Sequence, residues 1–147
     1  MSILIRDARW RGLRGLTSKL KRAVQEALAE GGAGTNADLT ILLTTDRRLK
    51  SLNRAFRKKD KPTNVLSFPS GAEDYLGDVA IAYGVTAREA RAAGKPLRDH
   101  AVHLAVHGVL HLLGFDHAAA RRAAVMEAAE VRILKKLNIA DPYRGLA

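Results

Sequence analysis

Apolar residues recur along this chain with two different periods, and the changes of period mark its elements. Leu13, Leu16, Leu20, Val24 and Leu28 fall at helical spacing until Gly31-Gly32 stops them, which predicts a first long helix. Ile3 to Arg6 before it reads as a short strand. From Asp38 to Thr44, Leu39, Ile41 and Leu43 alternate with more polar neighbours, as one half-buried strand requires. Leu49, Leu52 and Phe56 then return to helical period, and Pro62 ends helical structure. Asn64 to Phe68 is a short β-prone run closed by Pro69. In Asp78 to Tyr83, large residues (Val79, Ile81, Tyr83) alternate with Ala80 and Ala82, the pattern of a strand covered on both faces.

The second half is helical. Thr86 and Glu89 have capping-box spacing for a short helix ending at Gly94, and Pro96 opens a longer one that Gly114 closes. Met126, Ala129, Ile133 and Leu137 stripe a last helix between Ala118 and Leu137, before a tail marked by Asp141-Pro142. The expectation is a single-domain α/β chain over residues 1–147, with a central sheet of about four strands flanked by about five helices.

Composition narrows this picture in three ways. No cysteine is present, so a metal site can use only His, Asp or Glu. The N-terminal apolar run is too short for a signal peptide and is followed by Arg6 and Asp7, so a cytoplasmic protein is expected. Ala101 to Phe115 lacks Asp, Glu, Lys and Arg altogether, yet it is shorter than a membrane span and carries three histidines; it reads as a buried helix, and no membrane partner is expected.

Charge changes it further. The formal net charge is +10, and its distribution is uneven: eight of the fifteen residues from Arg47 to Lys61 are basic, with Asp60 the one acid among them. Arg6 to Arg22 contains seven more basic residues. Such a field gathers polyanions, RNA above all.

The chemistry sits in residues 107–117, His-Gly-Val-Leu-His-Leu-Leu-Gly-Phe-Asp-His. On a helix, His107 and His111 project from one face on successive turns. Gly114 can take the left-handed conformation that turns the chain back, so His117 can reach the same point. Three neutral imidazoles suit zinc and leave a fourth tetrahedral position open, the pattern of a catalytic site. His100 and His103 lie a turn or more from that open end and are expected in supporting or structural positions. Asp116 is a candidate to orient His117 or to cap the turn. The spacing matches the metzincin proteases, but the position of their general-base Glu is Gly108, which has no group to take a proton.

This histidine segment resembles the signature of the YbeY family of metal-dependent ribonucleases. Phe56-Arg57-Lys58-Lys59-Asp60-Lys61-Pro62-Thr63-Asn64-Val65-Leu66-Ser67-Phe68-Pro69 is similar to the family's other marked segment, and Leu76-Gly77-Asp78-Val79 to the strand after it. The likeness runs from about residue 46 to Tyr143; the first forty residues match in general character only. Lys58 departs from it, standing where relatives often carry Gly.

The resemblance implies an α/β fold and one zinc ion per chain on His107, His111 and His117. It also implies endoribonuclease action on single-stranded RNA, in maturation of the small-subunit ribosomal RNA end and in ribosome quality control. Partners would be ribosomal RNA and the small subunit or its associated proteins. In this reading Arg57 and the metal ligand His111 act in catalysis, with Arg57 stabilising charge on the phosphate, while Arg54, Lys58, Lys59 and Lys61 hold the RNA backbone. Two other readings stand beside it. One is a non-catalytic RNA- or ribosome-binding assembly factor with a structural zinc; the other is a metzincin-like peptidase recruiting a base such as Asp116 or Glu127.

Overall fold

A computed structural model describes residues 1–34, 37–57 and 63–144. Four strands, β1 (Ser2–Ile5), β2 (Leu39–Thr44), β3 (Val65–Pro69) and β4 (Gly77–Ala82), form one sheet in the order β1-β2-β4-β3. β1, β2 and β4 run parallel, and β3 lies antiparallel to β4 at the edge. Five α-helices accompany them: α1 (Leu16–Glu30), α2 (Asp46–Arg57), α3 (Tyr83–Ala93), α4 (Leu97–Leu112) and α5 (Ala120–Lys136). This is the α/β sheet with five helices that the periodicity predicts.

The alternation in the strands explains the layering. Leu39, Ile41, Leu43, Val79 and Ile81 face one way and join α1, α4 and α5 in the main core. Leu42, Leu66, Ala80 and Ala82 face the other way and pack with Leu49 and Leu52 of α2 and Val85 of α3. β4 is therefore covered on both faces, and its alanines leave room for α2 and α3.

Several element boundaries differ from expectation, each for a local reason. Leu13 belongs to the stretch before α1, because Gly15 takes a left-handed conformation (φ 75°) and the helix starts only after it. A 3₁₀ turn, Ala8–Gly12, precedes it, anchored by Trp10, whose buried indole Nε1–H donates to the Thr44 carbonyl at 3.0 Å. β4 ends at Ala82, and α3 begins directly at Tyr83, so Thr86 and Glu89 form no capping box. Thr86 lies inside the helix, where its Oγ1–H donates back to the Ala82 carbonyl at 2.5 Å. Glu89 instead reaches Asn64 and His100. Phe56 is 68% exposed and rests edge-on against Phe68, so the apolar stripe of α2 is buried only at Leu49. Pro62 lies outside the described residues.

β3 and β4 meet most tightly at Gly77. Its φ is +141°, and a Cβ built there would lie 2.1 Å from the Phe68 carbonyl oxygen, a backbone atom that cannot move aside. Gly77→Ala is expected to lower the unfolding free energy by about 3 kcal/mol, read as a lower urea midpoint at unchanged slope; a shift below a few tenths of a kcal/mol would contradict this packing.

Candidate metal centre

α4 is the most buried helix of the fold. Nine of its residues are buried, including His100, Val102, Val106 and Leu110. Because it carries no Asp, Glu, Lys or Arg after Asp99, it can be buried between the sheet and the neighbouring helices. The closest approach is at Gly108, where a Cβ would stand 2.5 Å from Val79 Cγ1 and 3.1 Å from Ser67 Oγ. Ser67 Oγ–H donates to the Gly108 carbonyl at 2.8 Å and fastens the helix to β3. A side chain at 108 would run into β4 rather than toward the histidines. The missing protease Glu is thus a packing requirement, and the peptidase reading has no base to place there.

With Gly108 against the sheet, His107 and His111 face outward beside the edge strand. Their Nε2 atoms are 3.2 Å apart. At the end of α4, Gly114 takes φ 97°, and the Phe115 N–H returns to the Leu110 carbonyl at 3.0 Å, turning the chain back as the glycine predicts. Asp116 then shapes the next loop: its Oδ1 accepts from the Ala118 N–H at 3.1 Å and pairs with Arg122 at 3.2 Å. His117 follows, exposed, with its ring 5.1 Å from that of His111 and 5.7 Å from that of His107. One nitrogen from each of the three imidazoles lies within 4.8 Å of the others.

This donor set fits a zinc-like ion. Bonds of about 2.0–2.1 Å in a tetrahedron put neighbouring donor nitrogens about 3.3 Å apart, close to the His107–His111 separation. The tautomer agrees. His107 Nδ1 faces the Glu130 carboxylate at 3.3 Å, so Nδ1 carries the proton and Nε2 keeps its lone pair for a metal.

Behind His107 stands Glu130, a residue outside both sequence motifs. It is fully buried on α5, where its Oε1 also receives His103 Nε2 at 2.6 Å. Burial alone would push its carboxyl up, but hydrogen bonds from His103 and His107 outweigh that and hold it down at about 2. The signal was available: Glu130 falls on the same stripe as Met126, Ile133 and Leu134, and a charge on a core stripe demands a partner. His103 thus sits beside the metal centre in a supporting position, as expected. His100 is tied instead to Glu89, at 2.9 Å.

A cavity of about 450 Å³ opens in front of the three histidines, with Asn53, Thr63, Asn64 and Ser67 on its other walls. No Asp or Glu lines it among the described residues. Arg54 is exposed on α2 and borders a separate shallow depression with Arg47 and Lys50. Arg57 is the last residue of α2, its side chain outside the described part; Lys58, Lys59 and Lys61 also lie outside the described residues. The structure therefore joins the three metal candidates and leaves Arg54 apart from them. Among the described residues no helix is long and apolar enough to cross a membrane.

The sequence profile of the family described as endoribonuclease YbeY matches residues 9–138. The chain belongs to the YbeY family. The match begins well before residue 46, so α1 and β2 share in the likeness. Relatives named endoribonuclease YbeY include one from Methylocella silvestris, 42% identical over 98% of this chain and 85% of its own length. Another, from Rhodopseudomonas palustris, is 46% identical over 92% of this chain and 76% of its own length. A solution structure from Thermotoga maritima shares the fold, with a TM-score of 0.64 at 22% identity over 94% of this chain and 92% of that one.

Away from this YbeY-type centre, His100 makes the stability of the fold depend on pH. Burial lowers its pKa below 6.5, and the bond to Glu89 only partly offsets this; His103 and Lys95 push the same way as burial. The unfolded chain therefore binds the proton more readily. The stability contribution is complete above pH 6.5 and is lost as pH falls from there through the folded-state value. Denaturant unfolding of wild type and His100→Gln from pH 7.5 to 5 is expected to show a shallower acid loss in the variant; equal slopes would contradict this assignment.

Proposed function

We propose that this chain is a metal-dependent endoribonuclease that cleaves single-stranded regions of ribosomal RNA during maturation of the small-subunit RNA and in ribosome quality control. Residues 1–147 act as one domain, zinc is the ion, and the setting is the cytoplasm. The observation that carries the reading is the convergence of His107, His111 and His117 at the mouth of a cavity, in a chain whose relatives are named endoribonucleases. RNA is the substrate class that this family name states.

His107, His111 and His117 would hold a zinc ion, which would supply Lewis acidity toward a phosphate oxygen and lower the pKa of bound water toward about 7. That chemistry needs no carboxylate base, which agrees with a cavity in which none lines the wall among the described residues. The chain's own groups then bind and orient. Ser67 fastens the histidine helix to the edge strand. Arg57, at the end of α2, holds non-bridging oxygens of the scissile phosphate and stabilises the charge that grows on them. Arg54, Lys58, Lys59 and Lys61 attract the neighbouring phosphates, and Asp116 holds the loop that carries His117. The ribosomal small subunit or proteins bound to it present the RNA.

The test is cleavage of single-stranded ribosomal RNA by purified protein, with and without chelator, beside a folded His111→Ala variant. Cleavage is expected in wild type alone. Arg57→Ala is expected to retain the metal and to lose roughly 10²–10³-fold in rate. RNA that binds but stays whole with every divalent metal would turn the reading to a ribosome-associated binding factor, and cleavage surviving His111→Ala would remove this site from the chemistry.

A further inference from the structure

The metal centre is continuous with a polar cluster that none of the three histidine ligands explains. Glu130 is 0% exposed, and its charge lies between α4 and α5. One oxygen, Oε1, accepts from both His103 Nε2 and His107 Nδ1, at 2.6 and 3.3 Å. A third donor comes from the segment after α5, 13 residues beyond Glu130. The Tyr143 hydroxyl lies 2.9 Å from Oε1 and 2.9 Å from Oε2, and its ring stands edge-on to His103 with centroids 5.8 Å apart.

The segment that delivers Tyr143 is built to a fixed shape. After α5, Asn138 takes φ 59° and reverses the chain, while the Ile139 N–H returns to the Leu134 carbonyl at 2.9 Å. Leu137 and Ile139 are buried in the main core. Asp141 then closes a turn by accepting the Tyr143 N–H on its Oδ1 at 2.8 Å. Both the backbone and the ring of Tyr143 are held before its hydroxyl meets the carboxylate.

We infer that Glu130 and Tyr143 are positioning residues for the metal: Glu130 fixes the ring and tautomer of His107 so that Nε2 is presented to the ion, and Tyr143 fixes the carboxylate of Glu130. The inference rests on the reading that His107, His111 and His117 hold a metal. Its chemistry is that of a carboxylate behind a ligating imidazole, which sets ligand orientation and strengthens the donor. With Tyr143 included, the C-terminal segment becomes part of the metal centre, although it touches none of the three ligands in the described contacts.

A bond that merely joined α4 to α5 would affect stability and leave metal affinity alone, so the two roles separate by measurement. The full chain, stripped of metal, is titrated with zinc against a chromophoric chelator, and urea unfolding is recorded on the same metal-free samples. Glu130→Gln, which keeps shape and an acceptor but removes the charge, is expected to weaken zinc binding roughly 10- to 100-fold. Tyr143→Phe, which keeps the ring, is expected to weaken it by about fivefold. Thr86→Val, which removes a buried hydrogen bond in α3, is expected to lower stability with zinc affinity unchanged. Cobalt absorption spectra of the loaded variants should change in intensity for Glu130→Gln and Tyr143→Phe and not for Thr86→Val.

If Glu130→Gln does not fold, Tyr143→Phe decides the matter alone. Zinc affinity within twofold of wild type in the folded variants overturns the inference and leaves the three-histidine site standing. A wild-type chain that binds no zinc overturns both the site and the inference. Because the readout is zinc alone, neither outcome depends on whether RNA is cleaved.

Discussion

The close packing of α4 on the sheet is the constraint from which the metal centre follows. From Ala101 to its end at Leu112 the helix has no Asp, Glu, Lys or Arg, so it can be surrounded by α1, α5 and the sheet without stranding a charge. At Gly108 it comes so near β3 and β4 that a methyl group would not fit, and Ser67 locks it there. That contact fixes the rotation of the helix about its own axis. Once Gly108 faces Val79, His107 and His111, which share the helix side next to it, emerge beside the edge strand. The same requirement that excludes a base at position 108 thus places the ligands.

The polar side of this helix is organised by a buried anion. An isolated carboxylate inside a protein costs several kcal/mol, and Glu130 is stable there because two imidazoles and a phenol surround it. The arrangement ties the fold to the candidate site: the groups that neutralise Glu130 include the candidate metal ligand His107, and the element that carries Glu130 is a helix of the main core. His100 and Glu89 repeat the pairing farther along α4, where they secure α3 and the start of β3 through Asn64.

Much of this was legible in the order of residues. The strand alternation at Leu39, Ile41 and Leu43 and the covered alanines of β4 are faces of the two packed layers, and the spacing of His107, His111, Gly114 and His117 specifies a helix followed by a left-handed turn. What escaped depends on tertiary contact. Thr86 and Glu89 imitate a capping box, but strand pairing holds the chain extended up to Ala82 and the helix starts at once, leaving Thr86 inside it. Phe56 keeps helical period yet stays exposed, resting edge-on against Phe68 rather than in the core. Glu130 lies 23 residues from His107, and no local pattern links them; only the docking of α5 on α4 does.

Three imidazoles that hold a metal would leave one position open to water or substrate. Zinc K-edge X-ray absorption on the loaded full chain measures this directly. The expected shell is three imidazole nitrogens and one oxygen at about 2.0–2.1 Å, with the oxygen shell altered when a non-cleavable single-stranded RNA is added. A shell of only two imidazoles, or a fourth ligand from the protein that persists with RNA present, would contradict it.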